Sequence, residues 1–350
     1  MGRVITIAHG PCAVESEKQI WSSVYQGSLI QPIVTPYDIK IAQRGGCWKP
    51  RTELYTKNNG VRKVVFEGTR EEGLRWMAEA LNHFGLPGVV EIMSEADLRH
   101  FERHLEPDRD YLQIGARDSQ AFALMYAVGS HRFGALHKHP QHGVDPKEAI
   151  GSLQRYENNR QVIYCIRGQK RPGSVDGRPN QLLDSYLNHM HSLPGQHKDT
   201  RNLNNIEAVN IARDSIEKNP IIGPKGILMA YDPSHTFGGK THQMRRMIGE
   251  QAIRAIKEFC YDWLLLEVAD KTREAKCDGD QHLVTTLNGI DWSETSALEE
   301  PPADQMQISL VEIVKDAMAF QVASRAVSIP PEQIEADMKR LDAIVWGASP

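Results

Sequence analysis

No apolar run in the 350-residue chain approaches the eighteen or so residues that a membrane span needs. No apolar leader opens it, so a membrane or secreted protein is not expected. Excess positive charge is missing too. Lys and Arg number 41 against 45 Asp and Glu, a formal net charge of -4, which excludes the global basic field that nucleic-acid binders use. Cysteines are few and odd in number, five in all, which argues against a disulfide framework and for a reducing compartment, the cytoplasm by default. Internal repeats, low-complexity tracts and a GxSxG elbow are absent, and "GQKRPGSVDGRPN" fits neither the P-loop nor the dinucleotide fingerprint. Met1-Gly2 with Thr6 satisfies the loose myristoylation pattern, yet "RVITIA" reads as a buried strand.

What is present is ordinary globular composition, 40% hydrophobic and 25% charged, enough for a full core. Eight short apolar runs recur: "VITIAHGPC", "KIAQRGGCWK", "GVVEIM", "YLQIGAR", "RFGALHKH", "QVIYCIRG", "GILMAYDPSH" and "DWLLLEVAD". Most are separated by stretches of helical period, such as "GTREEGLRWMAEALNHFG" and "HQMRRMIGEQAIRAIKEFC". This alternation predicts an α/β fold, a (β/α)8 TIM barrel forming a single catalytic domain over 1–350, with a doubly wound sheet as the alternative. Two regions break the rhythm. The polar segment at about 169–200 is an inserted loop or lid between strands 6 and 7, and extra C-terminal helices at about 303–346 close the barrel and offer surface for a homo-oligomer.

In such a barrel the strand C-terminal ends form the active face. Those ends carry Cys12, then Arg44, Lys49 and Arg51, then Glu91, Arg117, Lys138, Arg167, Asp232 with His235, and Glu267 followed by Asp278. Arg44, Lys49, Arg117, Lys138 and Arg167 would repel one another severely without a multiply charged anion among them, and a phosphorylated carboxylic acid would suit. Cys12, His235, Glu267 and Asp278 offer a thiolate, an imidazole and two carboxylates, a set matched to Mn, Fe, Co or Zn rather than Ca or Mg. Taken singly, each has a bland reading: a lone strand Cys is usually a small apolar residue, and a strand-end Arg or Lys is usually a solvated charge. Their coincidence at nearly every strand end is what points to a site. His137, His139 and His142 lack an acidic set at zinc-site spacing and read as loop histidines.

The ordered motifs "GPCAVES", "RGG-x-x-KPRT", "QIGAR", the Lys of "ALHKHP", the "RG" of "CIRG", "DPSH" and "EV…CDGDQHL" resemble those of the type I 3-deoxy-D-arabino-heptulosonate 7-phosphate (DAHP) synthases, from Gly10 to about Leu283. The 3-deoxy-octulosonate 8-phosphate synthases share much of the pattern, but "KPRT" resembles the heptulosonate branch. The resemblance implies a metal-dependent condensation of phosphoenolpyruvate (PEP) with erythrose 4-phosphate, the first step of the shikimate pathway. It assigns a divalent metal to Cys12, His235, Glu267 and Asp278, and PEP to Arg44, Lys49, Arg117, Lys138 and Arg167. Arg51 and Thr52 fall where the acceptor phosphate is held, and Lys49, His235 and Glu91 are the implied proton handlers. Neither nucleic acid nor membrane is an implied partner.

Departures from the family pattern collect on the acceptor side. Glu53 follows "KPRT" in place of Ser or Thr, Lys138 is followed by His139-Pro140 instead of a Gly-containing pair, and Ala269 stands where His is usual. They raise the expectation that the reaction type is kept while the aldose differs. A silent PEP-binding barrel is a third reading. The chain begins almost at its first strand, so no N-terminal regulatory domain is expected.

Overall fold

The computed structural model describes residues 3–49, 55–58, 61–141, 144, 146–168, 205–237, 242–269, 276, 282–287 and 308–344. Of the residues singled out above, Arg51, Thr52, Glu53, His142 and Asp278 lie outside the described residues, as does the segment 169–200.

All eight apolar runs are strands of one closed parallel barrel. In chain order they are β1 (Ile5–Gly10), β2 (Ile39–Gly45), β5 (Gly88–Ile92), β6 (Tyr111–Ile114), β7 (Gly134–Lys138), β8 (Val162–Arg167), β9 (Leu228–Asp232) and β10 (Trp263–Glu267). Each pairs with its neighbours in sequence, and β1 closes the ring against β10, with Gly10 opposite Glu267. The strands are buried almost throughout because helices cover one face and the barrel interior the other, which is why they read as apolar runs without polar alternation.

Inside the barrel, Ala8, Ala42, Val89, Leu136, Cys165, Ala230, Trp263 and Leu265 belong to a compact apolar plug. A larger cluster fills the space between the strands and the helices. Two layers result, and the side chains above the plug form the mouth.

The helices end where local chemistry says they should. The helix Arg70–Phe84 carries Glu71 and Glu72 in its first turn and stops at Gly85, whose φ of 70° is a left-handed conformation that suits glycine. Leu310–Ala323 opens on a capping box between Ser309 and Glu312 and occupies the eighth helical place of the barrel. Pro331–Asp342 is the helix added beyond it, and Tyr37 donates its hydroxyl to Asp337 on that helix at 3.2 Å.

Two elements were not anticipated. The helix Glu17–Val34 fills the first crossover despite an internal Pro32, with Ser22, Gln26 and Gly27 on its buried face. An antiparallel hairpin, β3 (Tyr55–Asn58) with β4 (Val61–Val64), follows the "KPRT" segment as a separate two-stranded sheet.

Gly27 meets β1 closely. A methyl group there would lie 2.6 Å from Nε2 of His9, a fully buried ring held neutral by burial, its pKa lowered to about 4. Substituting Gly27→Ala is expected to destabilise the barrel by about 1–3 kcal/mol through overpacking. Equilibrium urea unfolding checks this, and an unchanged midpoint would contradict the contact.

Candidate active site

The strand ends gather one buried electrostatic layer. Arg44, at the end of β2, donates from Nη1 to Oε1 of Glu267 at 2.9 Å, both side chains being at most 3% exposed. Lys138, closing β7, lies 2.7 Å from Oδ2 of Asp232, and Lys49 lies 3.5 Å from Oε2 of Glu91. Arg167 ends β8 in register with Asp232 and is buried. Four cations therefore share the mouth with three carboxylates. The severe repulsion expected from the cations alone is corrected here: three of the four stand within 3.5 Å of an acid.

These carboxylates stay charged. Burial would raise the Asp232 carboxyl, but His235, Lys138 and Arg167 outweigh it and hold it well below its ordinary value. Burial acts the same way on Glu267, yet the electrostatic pull of its neighbours, with the Arg44 guanidinium 2.9 Å away, depresses it further than burial raises it. Glu91 is lowered against burial by Lys49, Lys138, Arg44 and His235.

His235 follows β9 on the short helix Ser234–Phe237. Its Nδ1 lies 2.8 Å from Oδ2 of Asp232, and its backbone N–H donates to Oδ1 at 3.1 Å. Burial lowers the imidazole below its ordinary value despite the pull of Asp232 and Glu267, so the neutral ring gives its Nδ1 proton to Asp232. Its Nε2 is then an acceptor, 3.5 Å from Oε1 of Glu267. A histidine oriented by a carboxylate at one nitrogen with an acceptor at the other is the usual dress of a metal ligand.

Among the described residues no group of three or more His, Cys, Asp or Glu side chains is gathered closely enough to hold a metal ion. The donors nevertheless fit one. Oε2 of Glu267 is buried and makes no hydrogen bond, an arrangement that is costly for an ionised carboxylate and that a divalent cation would relieve. Cys12 is 2% exposed just beyond β1, and its charge when ionised is close enough to act on Arg44.

Arg117 sits exposed on the turn after β6, at the strand end expected of it. Two histidines fall differently from expectation. His137 is no loop histidine: it lies within β7, fully buried, with Nδ1 2.8 Å from the Tyr156 hydroxyl and its pKa lowered by burial to about 3. His139 is buried as well, bonded through Nδ1 to the Tyr164 hydroxyl, while its N–H donates to the Cys165 carbonyl. The His139 departure is thereby absorbed by the layer outside the barrel.

Residues missed from the sequence are Ser234 and His282, and the pairing of Asp232 with Lys138 was missed as well. Ser234 Oγ accepts the Glu267 N–H at 2.9 Å, and His282 Nε2 accepts the Cys12 N–H at 3.0 Å. Both sit inside the "DPSH" and "CDGDQHL" motifs, a positional signal that names no role.

Glycine makes room for the layer. A Cβ at Gly115 would fall 2.1 Å from Oε1 of Glu91 and 3.7 Å from Oδ2 of Asp118, and one at Gly46 would fall 2.6 Å from Lys49 Nζ. Any larger residue at either position displaces the Lys49–Glu91 pair.

A family model described as the DAHP synthetase I family matches residues 2–300. A curated phospho-2-dehydro-3-deoxyheptonate aldolase of Thermotoga maritima is 28% identical over 280 residues, 79% of this chain and 65% of that protein, so the chain spans less than two thirds of that relative. A crystal structure of the T. maritima phospho-2-dehydro-3-deoxyheptonate aldolase (DAHP synthase) superposes with a TM-score of 0.59 at 23% identity, covering 93% of this chain and 71% of that one. A truncated form of the T. maritima 3-deoxy-D-arabino-heptulosonate 7-phosphate synthase gives 0.57 at 21% identity, covering 93% and 90%. The two structures share the barrel fold with this chain.

Two outcomes follow from the electrostatics. Replacing Asp232 by Ala strands the buried Lys138 ammonium, and the expected loss is about 3–5 kcal/mol in urea unfolding. Asp118 is pushed up to about 6 by burial and by Glu91, against Arg117. Its protonated form is favoured by the fold, so its contribution is present below the unfolded value of 3.8 and is lost as pH rises through about 6. Asp118→Asn should therefore gain stability relative to the parent between pH 5 and pH 7.5, and a pH-independent difference would contradict the shift.

Proposed function

Since the chain belongs to the DAHP synthetase I family, we propose that it is a transferase condensing PEP with an aldose phosphate, erythrose 4-phosphate first among them, to give a DAHP-type 3-deoxy sugar acid and inorganic phosphate. The observation that carries this reading is the mouth itself. Among the described residues the cations Arg44, Lys49, Lys138 and Arg167 are interleaved with the carboxylates Glu91, Asp232 and Glu267, an excess of one formal positive charge within that set with His235 neutral. A trianionic ligand entering it meets cations already desolvated and fixed by packing, where electrostatic attraction is strongest.

In this reading Arg167, Lys138, Arg44 and Lys49, with Arg117 on the turn after β6, bind the carboxylate and phosphate of PEP and hold its C3 toward the acceptor aldehyde. Carbon 3 forms the new C–C bond, a water oxygen adds at carbon 2, and phosphate leaves with its bridging oxygen by C–O cleavage. The water gives up both protons, one ending on the aldehyde oxygen and the other, as the carbon 2 hydroxyl becomes the ketone, on the departing phosphate. Glu91, ionised and 3.5 Å from Lys49, is placed to accept a proton, and Lys49 to donate one. His235 keeps its Nδ1 proton on Asp232, which fixes its ring. Cys12, His235 and Glu267 would hold a divalent Mn, Fe, Co or Zn ion together with Asp278. When bound, such an ion supplies Lewis acidity toward an oxygen of the acceptor or the water.

Among the described residues no helix is long and apolar enough to cross a membrane. The acceptor is set by the segment holding Arg51, Thr52 and Glu53. Phosphate release from PEP by metal-reconstituted protein is expected with erythrose 4-phosphate, tested beside arabinose 5-phosphate and ribose 5-phosphate. Release only with a different aldose would move the substrate, and silence across the panel despite bound metal would overturn the enzyme reading. Gly46→Ala, which pushes Lys49 off Glu91, should cut kcat/KM by at least about 100-fold, given what a displacement near 1 Å costs a positioned group.

A further inference from the structure

Resting on the reading of Cys12 and Glu267 as metal ligands, we propose that His282 is a positioning residue that ties the Cys12 turn to the Glu267 strand end and so sets the affinity of the metal site. Cys12 stands two residues past β1, after Gly10, whose φ of 141° turns the chain, and Pro11, which has no N–H. The barrel ladder supplies no acceptor for the Cys12 amide. That acceptor comes from Nε2 of His282, 270 residues away and 1% exposed. An imidazole accepting at Nε2 carries its proton on Nδ1, so this contact also fixes the tautomer.

The same segment grips the other ligand. Leu283 donates its N–H to the Glu267 carbonyl at 2.8 Å and its carbonyl accepts from Ala269 at 2.9 Å, making a parallel bridge beside Val268. With Ser234 taking the Glu267 N–H, the backbone of Glu267 is held on both sides. Further along, the carbonyls of Val284 and Thr285 accept from Leu310 and Val311 at the start of the eighth helix. Segment 282–287 is therefore anchored without help from the His282 ring. Nε2 of the ring serves Cys12, and the dipeptide His282-Leu283 holds the backbones of two implied ligands four residues after a third, Asp278. Partners of this kind outside the ligand set typically govern metal affinity by roughly 10- to 100-fold.

The test uses the full chain, cobalt(II) as the probe, and three proteins: the parent, His282→Leu and His282→Gln. Gln can present an amide oxygen to the Cys12 N–H, and Leu cannot. Affinity is read by competition with a chelator, and ligation by Cys12 through the near-ultraviolet thiolate-to-cobalt absorption band, with apo-protein melting recorded for each. Expected is a weakening of roughly 10- to 100-fold and an altered thiolate band in the Leu variant, with Gln restoring both. Parent-like cobalt affinity and band in the Leu variant would overturn the proposal while leaving the metal reading intact. Equal losses in Leu and Gln would also overturn it, since the hydrogen bond would not be the cause. A parent protein that binds cobalt without a thiolate band, or not at all, would overturn the reading of Cys12 as a ligand and the proposal with it.

Discussion

Charge pairing at the barrel mouth is the constraint on which the rest of this structure depends. Four cations and three carboxylates are set above an apolar plug, and an unpaired charge in that position would cost several kcal/mol. Strands one apart in the ring solve the problem by pairing opposite charges: Arg44 of β2 reaches over β1 to Glu267 of β10, and Lys138 of β7 reaches over β8 to Asp232 of β9. Such pairs span the barrel rather than one strand, so the closure of the ring and the electrostatics of the mouth stand or fall together. Most of the layer's cations are thus paired before any ligand enters.

From that layer the division of labour follows. Asp232 serves Lys138 and His235 at once and fixes the ring through its Nδ1, while burial keeps the imidazole neutral with Nε2 as the acceptor. Glu267 gives one oxygen to Arg44 and leaves the other buried without a hydrogen bond. The anion-binding half and the metal-competent half thus share residues. A change at Asp232 or Glu267 is felt in both, whereas Glu91 and Lys49 form a separate pair whose geometry is guarded by Gly46 and Gly115.

The strands were legible because a parallel strand buried on both faces has no reason to carry alternating polar residues, as "VIYCIR" in β8 illustrates. The helix Glu17–Val34 was hidden by Ser22, Gln26 and Gly27 on its inner face, where Gln26 meets the Thr285 hydroxyl and Gly27 admits the His9 ring. Polar residues with distant partners erase the periodicity that reveals a helix. The hairpin of β3 and β4 is too short and polar to stand out from a loop. His137 looked like a loop residue because its partner, Tyr156, lies nineteen residues on and outside any local pattern.

By itself the sequence determined the barrel, through the recurrence of apolar runs, and the family, through motifs at seven of the strand ends or the loops after them. It also put Cys12, Arg44, Lys49, Glu91, Lys138, Arg167, His235 and Glu267 on one face, because in a parallel barrel every strand end points the same way. Only tertiary structure decided which of these charges touch, since a pairing such as Arg44 with Glu267 joins positions 223 residues apart. It likewise decided that His139 faces the outer layer and that His282 serves Cys12, because which partner a side chain meets depends on distances that exist only once the ring has closed.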